Sequence, residues 1–502
     1  MAEYTNGNQN ISDDAELREL GVQPVFKRVL GLFSVSFLAI AFQGPTAAIF
    51  TVGIAMIAFL GPSLIWTVPV VLLFQLIIAL IWMELSSYYP LAGGIYQWAR
   101  YLGGEMVGFF AGLTYLTALL ILMSALGFGM TAIFEGLFPS IPANTTSQVI
   151  ITVVLTILVA IICMMPTRLI ARVNSFGVVV ELLCLTGFTL IFFFHTHQRL
   201  SVINSTAGSV APGAVHYLIA FGIGIALMVG VLTGSETAGI FAEDSTKARV
   251  TPGRATLIAC FGVAFFTGLL FFATLLATPN YPRAIANPAS WITYALDAAV
   301  GSGVSKLFLA GAAVAVFSTT LATLMSSSRL MFGMARDRQL PGARSLTHTS
   351  RWADQPVVAV VVCSVLGIVP LVAASRIPIL VSAFTGMFVL TYIMTLGALT
   401  ARRLRGWPHE RAALSLGRWG WPLTIISFIY VIFLAIDFGW PRPSLNPNLG
   451  GIPVLWEFVI VVGAFGAIYW FGWLRRRTPT PSAVVVEKER REDSVQGLDS
   501  PG

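Results

Sequence analysis

Long apolar runs alternate with short polar connections from residue 31 to residue 474. Each run is close to the 20 or so residues that a helix needs to cross the hydrocarbon of a bilayer. They lie at about 31–57, 63–87, 106–134, 147–165, 170–194, 214–241, 255–278, 303–333, 356–375, 378–400, 420–438 and 453–474. The pattern predicts an all-α polytopic membrane protein with twelve transmembrane helices. The connections between runs 4 and 5 and between runs 9 and 10 are the shortest.

Composition supports this reading. The 502 residues are 56% hydrophobic and 11% charged, with a mean hydropathy of +0.81. Soluble domains carry about 25% charged residues, so lipid must cover much of this chain. The net charge of +7 reads as topology rather than nucleic-acid affinity, because the basic residues cluster between the apolar runs. With the N-terminus in the cytoplasm, only Arg199, Arg283, Lys306, Arg376 and Arg442 of the 30 Lys and Arg fall outside. That bias predicts a multi-pass protein with both termini cytoplasmic, with the plasma (cell) membrane as the default location. The acidic stretch Met1–Gln23 lacks the basic start of a signal peptide, and the tail after Arg477 reads as disordered. Cys163, Cys184, Cys260 and Cys363 lie in apolar runs, as small buried hydrophobes rather than a disulfide framework or a metal site. With no ATP-binding loop, no metal spacing and no sizeable soluble domain, the chain does not read as an enzyme or a primary pump.

Two runs are interrupted. Run 1 carries Ile40, Ala41, Phe42, Gln43, Gly44, Pro45 and Thr46, and run 6 carries Leu232, Thr233, Gly234, Ser235 and Glu236. Either interruption alone reads equally well as a plain kink. Runs 1 and 6 are, however, the first members of two successive sets of five. Broken helices at matching positions of two halves mark a transporter site near the bilayer midplane. The start of a second half-helix attracts an anion and the end of a first half-helix attracts a cation, so such a site suits a zwitterion.

Charges inside lipid are functional candidates by default. Glu84 lies near the inner end of run 2, Glu181 within run 5, and Glu236 just past the second interruption. Glu84 reads also as a structural ion-pair partner, Glu181 also as a partner of basic residues, and Glu236 also as an acceptor for the unwound backbone. Ser318, Thr319 and Thr320 fall near the middle of run 8, where hydroxyls either ligate Na⁺ or bond between helices. Glu84, Glu181, Ser318 and Thr319 are therefore coupling or gating candidates, for H⁺ or Na⁺, and no other cofactor is implied. Tyr115, Phe221 and Phe241 are candidate pocket aromatics. Trp66, Trp98, Trp440 and Trp470 read as interface anchors, and His195 and His197 as solvated loop residues.

The stretch Glu84–Arg100, with Tyr89, Pro90, Ala92, Gly93 and Gly94, resembles the signature that follows the second span in the amino acid–polyamine–organocation superfamily, especially its amino acid/choline transporter branch. Gly234–Gly239 followed by Ala242–Ser245, and Ser326–Arg329 followed by Ala335–Asp337 and Leu340–Pro341, resemble its sixth span with the acidic exit loop and the end of its eighth. The resemblance implies a leucine-transporter-like 5+5 inverted repeat plus two C-terminal helices. It divides the chain into a cytoplasmic tail (1–28), two five-helix repeats (29–194 and 195–401), two added helices (402–476) and a second tail (477–502). It also implies a permease that moves amino acids by alternating access, or alternatively choline, ethanolamine, GABA or polyamine-type cations. The substrate contacts it implies are Ile40–Thr46 and Leu232–Glu236, beside which Tyr115 stands as the candidate from the residues themselves.

Overall fold

In hydrocarbon every backbone N–H and C=O must find a partner within the protein, and the apolar runs achieve this as helices. A computed structural model describes residues 28–142, 144–350, 352–353, 355–373, 377–408, 412–441 and 453–477. Apart from Arg28 and Arg477, the expected tails lie outside the described residues, as do Arg351, Arg376, Arg411 and Arg442 of the charge pattern.

The first two runs form one helical stretch of 57 residues, Leu32–Tyr88. It comprises α1 (Leu32–Gln43), α2 (Pro45–Ala48), a π turn, α3 (Ile54–Leu60), a 3₁₀ turn and α4 (Thr67–Tyr88). There follow α5 (Ile95–Gly103), α6 (Glu105–Leu137), α7 (Thr145–Cys163), α8 (Thr167–Phe194), α9 (Ala214–Leu232), α10 (Thr237–Ile240) and α11 (Thr251–Ala277). The rest are α12 (Tyr281–Ala286), α13 (Trp291–Arg336), α14 (Ala343–Leu346), α15 (Val357–Ala373), α16 (Ile377–Arg403), α17 (Gly420–Gly439) and α18 (Val454–Gly472). Among the described residues, ten helical segments are long and apolar enough to cross a membrane, and α15 adds the shorter apolar stretch Val357–Leu371.

The middle of the bundle is α6, packed most extensively against α16 and α13. At the periphery α7, α8, α17 and α18 expose Ile157, Leu183, Ile436 and Ile468, the apolar outer surface that lipid would solvate.

Two expectations are corrected. Run 8 was expected over 303–333, but α13 begins at Trp291 and is interrupted at Gly301 (φ 77, ψ 158). The ten residues before that kink form a separate arm, anchored because the buried Trp291 donates its indole N–H to Thr278 Oγ1 at 2.8 Å. Trp98 is not an interface anchor. It sits on α5, fully buried, stacked on Trp82 at 5.5 Å, and its indole N–H donates to Tyr89 O. The loop after run 2 folds inward because Ile95–Leu102 are all buried.

One end of the bundle is rich in buried ion pairs. Arg329 Nη2 lies 3.1 Å from Asp244, and Arg336 grips both oxygens of Glu243 at 2.9 and 3.0 Å. Arg100 bridges Asp337 at 3.1 Å and Glu105 at 2.7 Å, and Glu84 pairs with Arg403. Burial raises the Asp337 carboxyl, but the Arg100 and Arg336 guanidiniums outweigh this and hold it below its ordinary range. At the same end Val29 and Leu30 donate their N–H groups to Asp244 O, and Leu30 pairs with Ser245 as a single β-bridge. The segment entering α1 is thus tied to the loop leaving α10.

Candidate functional site

Both interruptions become real breaks, for different local reasons. Gly44 adopts the left-handed conformation (φ 52, ψ 66), which glycine enters without the penalty a Cβ would bring. Pro45 then opens α2, where its missing N–H is not needed. In the second break Thr233 is extended and Gly234 has φ 110 before the chain turns into α10.

The two breaks meet. Gln43 Nε2 donates to Leu232 O at 3.1 Å, joining the last turns of α1 and α9. A Cβ at Gly234 would collide with the Phe42 ring, so the side chain of the first break packs directly on the backbone of the second. From α4, Gln75 Nε2 donates to Thr233 Oγ1 at 3.2 Å.

Glu236 holds the second break closed on itself. One carboxylate oxygen accepts the Tyr115 hydroxyl at 2.9 Å. The other accepts the Tyr392 hydroxyl at 2.6 Å and the Gly234 N–H at 3.2 Å. Glu236 is fully buried. The first break is held from outside instead: Glu181 on α8 accepts the Thr46 N–H at 3.0 Å. Glu181 is also fully buried, and its second oxygen has no hydrogen-bond partner.

Between the breaks lies a small cavity of about 30 Å³, far below the several hundred Å³ of usual ligand pockets. Its walls are Phe42, Gln43, Gly44, Ala47, Ala48, Thr51 and Val52 from the first broken helix, and Gly230, Val231 and Thr233 from the second. Leu122 and Leu126 of α6, Thr319 of α13, and Phe384 and Phe388 of α16 complete it. No side chain in this wall carries a charge.

Of the expected contacts, Phe42, Gln43, Gly44 and Thr233 line the cavity, as does the coupling candidate Thr319. Ile40, Ala41, Pro45, Thr46, Leu232, Gly234, Ser235, Glu236 and Tyr115 lie in or against the breaks behind its wall, and Phe221 and Phe241 lie outside it. Ser318 donates to Asn174 of α8 at 3.3 Å, and Thr319 donates to Ala315 O at 3.0 Å. Glu84 is at the ion-paired end, where it also accepts the Leu416 N–H at 3.1 Å. Sequence reading missed Tyr392, Gln75 and Asn174. Gln75 is an amide set among apolar residues of run 2, a signal that was there to follow, whereas Tyr392 sits beside Thr391 in a run that also holds Ser382, Thr385 and Thr395. The pair Phe384 and Phe388, one helical turn apart, was also missed.

The family model described as "Amino acid permease" matches residues 30–472. An uncharacterized amino-acid permease of Schizosaccharomyces pombe is 24% identical over 412 residues, covering 78% of this chain and 71% of that protein. The branched-chain amino acid permease BcaP of Lactococcus lactis is 25% identical over 392 residues, covering 72% and 79%. Among solved structures, the nucleobase-cation-symport-1 family transporter Mhp1, closed with bromovinylhydantoin bound, superposes with a TM-score of 0.51 at 17% identity, covering 93% of this chain and 97% of that one. That likeness speaks to the fold.

Proposed function

Because the chain belongs to the amino acid permease family, a family of transporters and not of enzymes, we propose that it carries amino acids by alternating access around the cavity between its two breaks. The observation that carries this reading is the meeting of two interrupted helices over a small, uncharged cavity. Counting Leu32–Tyr88 as two spans and α15 as one gives twelve spans. We read them as two five-helix repeats (29–194 and 195–401) and two added helices (402–476). The ion-paired end faces the cytoplasm, as the distribution of basic residues favours, and the plasma membrane is the site of action.

The roles divide by geometry. Gln43, Gly44, Thr233 and Thr319 meet the substrate, with the backbone of Ile40–Thr46 and Leu232–Glu236 supplying half-helix ends for a zwitterion. Tyr115 and Glu236 hold the second break in shape. Glu181 is the coupling group, because its carboxylate touches the first break and keeps an oxygen unengaged. Ser318, bonded to Asn174 of α8, and Thr319, in the cavity wall, are further coupling candidates, and Glu84 belongs to the inner gate.

Counterflow of labelled L-amino acids into proteoliposomes tests this, with pH and Na⁺ gradients imposed separately. Uptake of at least one amino acid, driven by one of the two gradients, is expected. Failure of every amino acid to exchange, in vesicles where the protein is folded, would overturn the reading.

A further inference from the structure

We propose that the transported amino acid has an uncharged, apolar side chain, that this chain is received by Val52, Leu122, Leu126 and Phe384, and that Gln43 Oε1 accepts its ammonium group. This rests on the cavity being the transport site.

The argument begins from what the wall lacks. A charged substrate side chain taken out of water needs an opposite charge or several hydrogen bonds. The cavity wall holds no Asp, Glu, Lys, Arg or His. The one acid next to it, Glu236, already has both oxygens engaged by Tyr115, Tyr392 and Gly234 N–H. Using it as a counter-ion would strip acceptors from buried hydroxyls. Glu181 approaches the first broken helix at Thr46, which is not in the wall, and no residue of α8 lines the cavity. A lysine, arginine, glutamate or polyamine would therefore meet no partner for its extra charge.

What the wall offers instead is chemically sorted. Three of its polar side chains, Gln43, Thr233 and Thr319, gather at the breaks, and the fourth, Thr51, spends its hydroxyl proton on Ala47 O at 2.9 Å. Gln43 is 7% exposed, its Nε2 is committed to Leu232 O, and its Oε1 is buried without a partner. A buried amide oxygen left open beside a cavity is an acceptor for N–H donors. An ammonium there would sit next to the carbonyl end of α9, which also favours positive charge. The remaining wall is aliphatic and aromatic, with Phe384 and Phe388 edge-to-face at 6.2 Å. Widened by opening, the site would take an amino acid one way round, with its polar end at the breaks and its side chain toward α6 and α16.

The test is a competition panel in proteoliposomes, followed by two variants. Leucine, isoleucine, valine, methionine and phenylalanine are expected to compete with the labelled substrate. Lysine, arginine, aspartate and glutamate are expected to compete at least about a hundredfold more weakly, since a site built without countercharge leaves them unpaired. The Leu126→Ala variant should shift the rank order toward larger side chains by about tenfold, whereas Gln43→Leu should raise KM for every amino acid alike. Preferential transport of a charged amino acid would overturn the apolar assignment and leave amino acid transport standing. Exchange of no amino acid would overturn both readings. An unchanged rank order in a folded, transporting Leu126→Ala protein would remove α6 from the side-chain pocket.

Discussion

The two broken helices solve one problem in opposite ways. The break between α9 and α10 is sealed by its own acid, Glu236, which binds the local Gly234 N–H and reaches tyrosines on α6 and α16. The break between α1 and α2 has no acid of its own and borrows Glu181 from α8, through a single bond to Thr46 N–H. A carboxylate with three donors is a fixed part of the framework. A carboxylate with one donor and a free oxygen has room to change partners. The contrast is why we propose a structural role for the acid at the second break and a coupling role for the acid at the first.

The sharpest test is removal of Glu236. The Glu236→Ala change strands two buried hydroxyls and one N–H, each worth about 1–3 kcal/mol. It should therefore lower thermal stability by several degrees and abolish uptake. The Glu236→Gln change keeps one acceptor but turns an NH₂ toward existing donors, so it should fall between Glu236→Ala and the native protein in both readouts. A Glu236→Ala protein that unfolds at the native temperature and still transports would show that the second break does not depend on this acid.

Glu181 should behave differently. The Glu181→Gln change retains an oxygen for Thr46 N–H, so the loss of stability should stay near 1 kcal/mol. Exchange of substrate across the membrane should survive, while accumulation driven by a pH or Na⁺ gradient should fall about tenfold or more, because the titratable or cation-binding oxygen is gone. Intact gradient-driven accumulation in Glu181→Gln would make Glu181 a backbone cap and nothing more, and the two breaks would then be functionally alike.

The sequence carried the helices and the breaks because both are local. About 20 apolar residues, a Gly-Pro pair or a Gly beside an acid can be read without knowing what lies opposite. The partners of the breaks are not local. Tyr392 reaches Glu236 from 156 residues away and Glu181 reaches Thr46 across 135, and nothing in periodicity pairs them. The same limit explains Trp98: a tryptophan near the end of an apolar run looks like an interface anchor until α5 folds back beneath α4. Nothing in the sequence sets Leu122 and Leu126 apart as cavity residues, because one apolar helix face differs from another only through what it meets.

The difference between the breaks fades at the ion-paired end, where the segment entering α1 and the loop leaving α10 are joined at Leu30 and Ser245. Opening that end must separate this tie from α13, and Asp244 sits at the junction. Burial pushes its carboxyl up to about 6, with Arg329 at 3.1 Å and Arg28 working against the rise and Glu243 adding to it. Once opening admits water, the group returns toward the ordinary value near 4. The sealed form therefore binds more protons than the open form between about pH 4 and 6, and acid favours the sealed form. Lowering the pH at this face alone from about 7.5 to about 5.5 should slow transport a few-fold, and Asp244→Asn should flatten that dependence. The measurement is initial uptake in oriented vesicles with the opposite face held at fixed pH, which keeps any titration of Glu181 from that side constant. Acceleration by acid, or an undiminished slope in Asp244→Asn, would locate the pH-sensitive step elsewhere, and the shared tie would then be a passive strap rather than a latch.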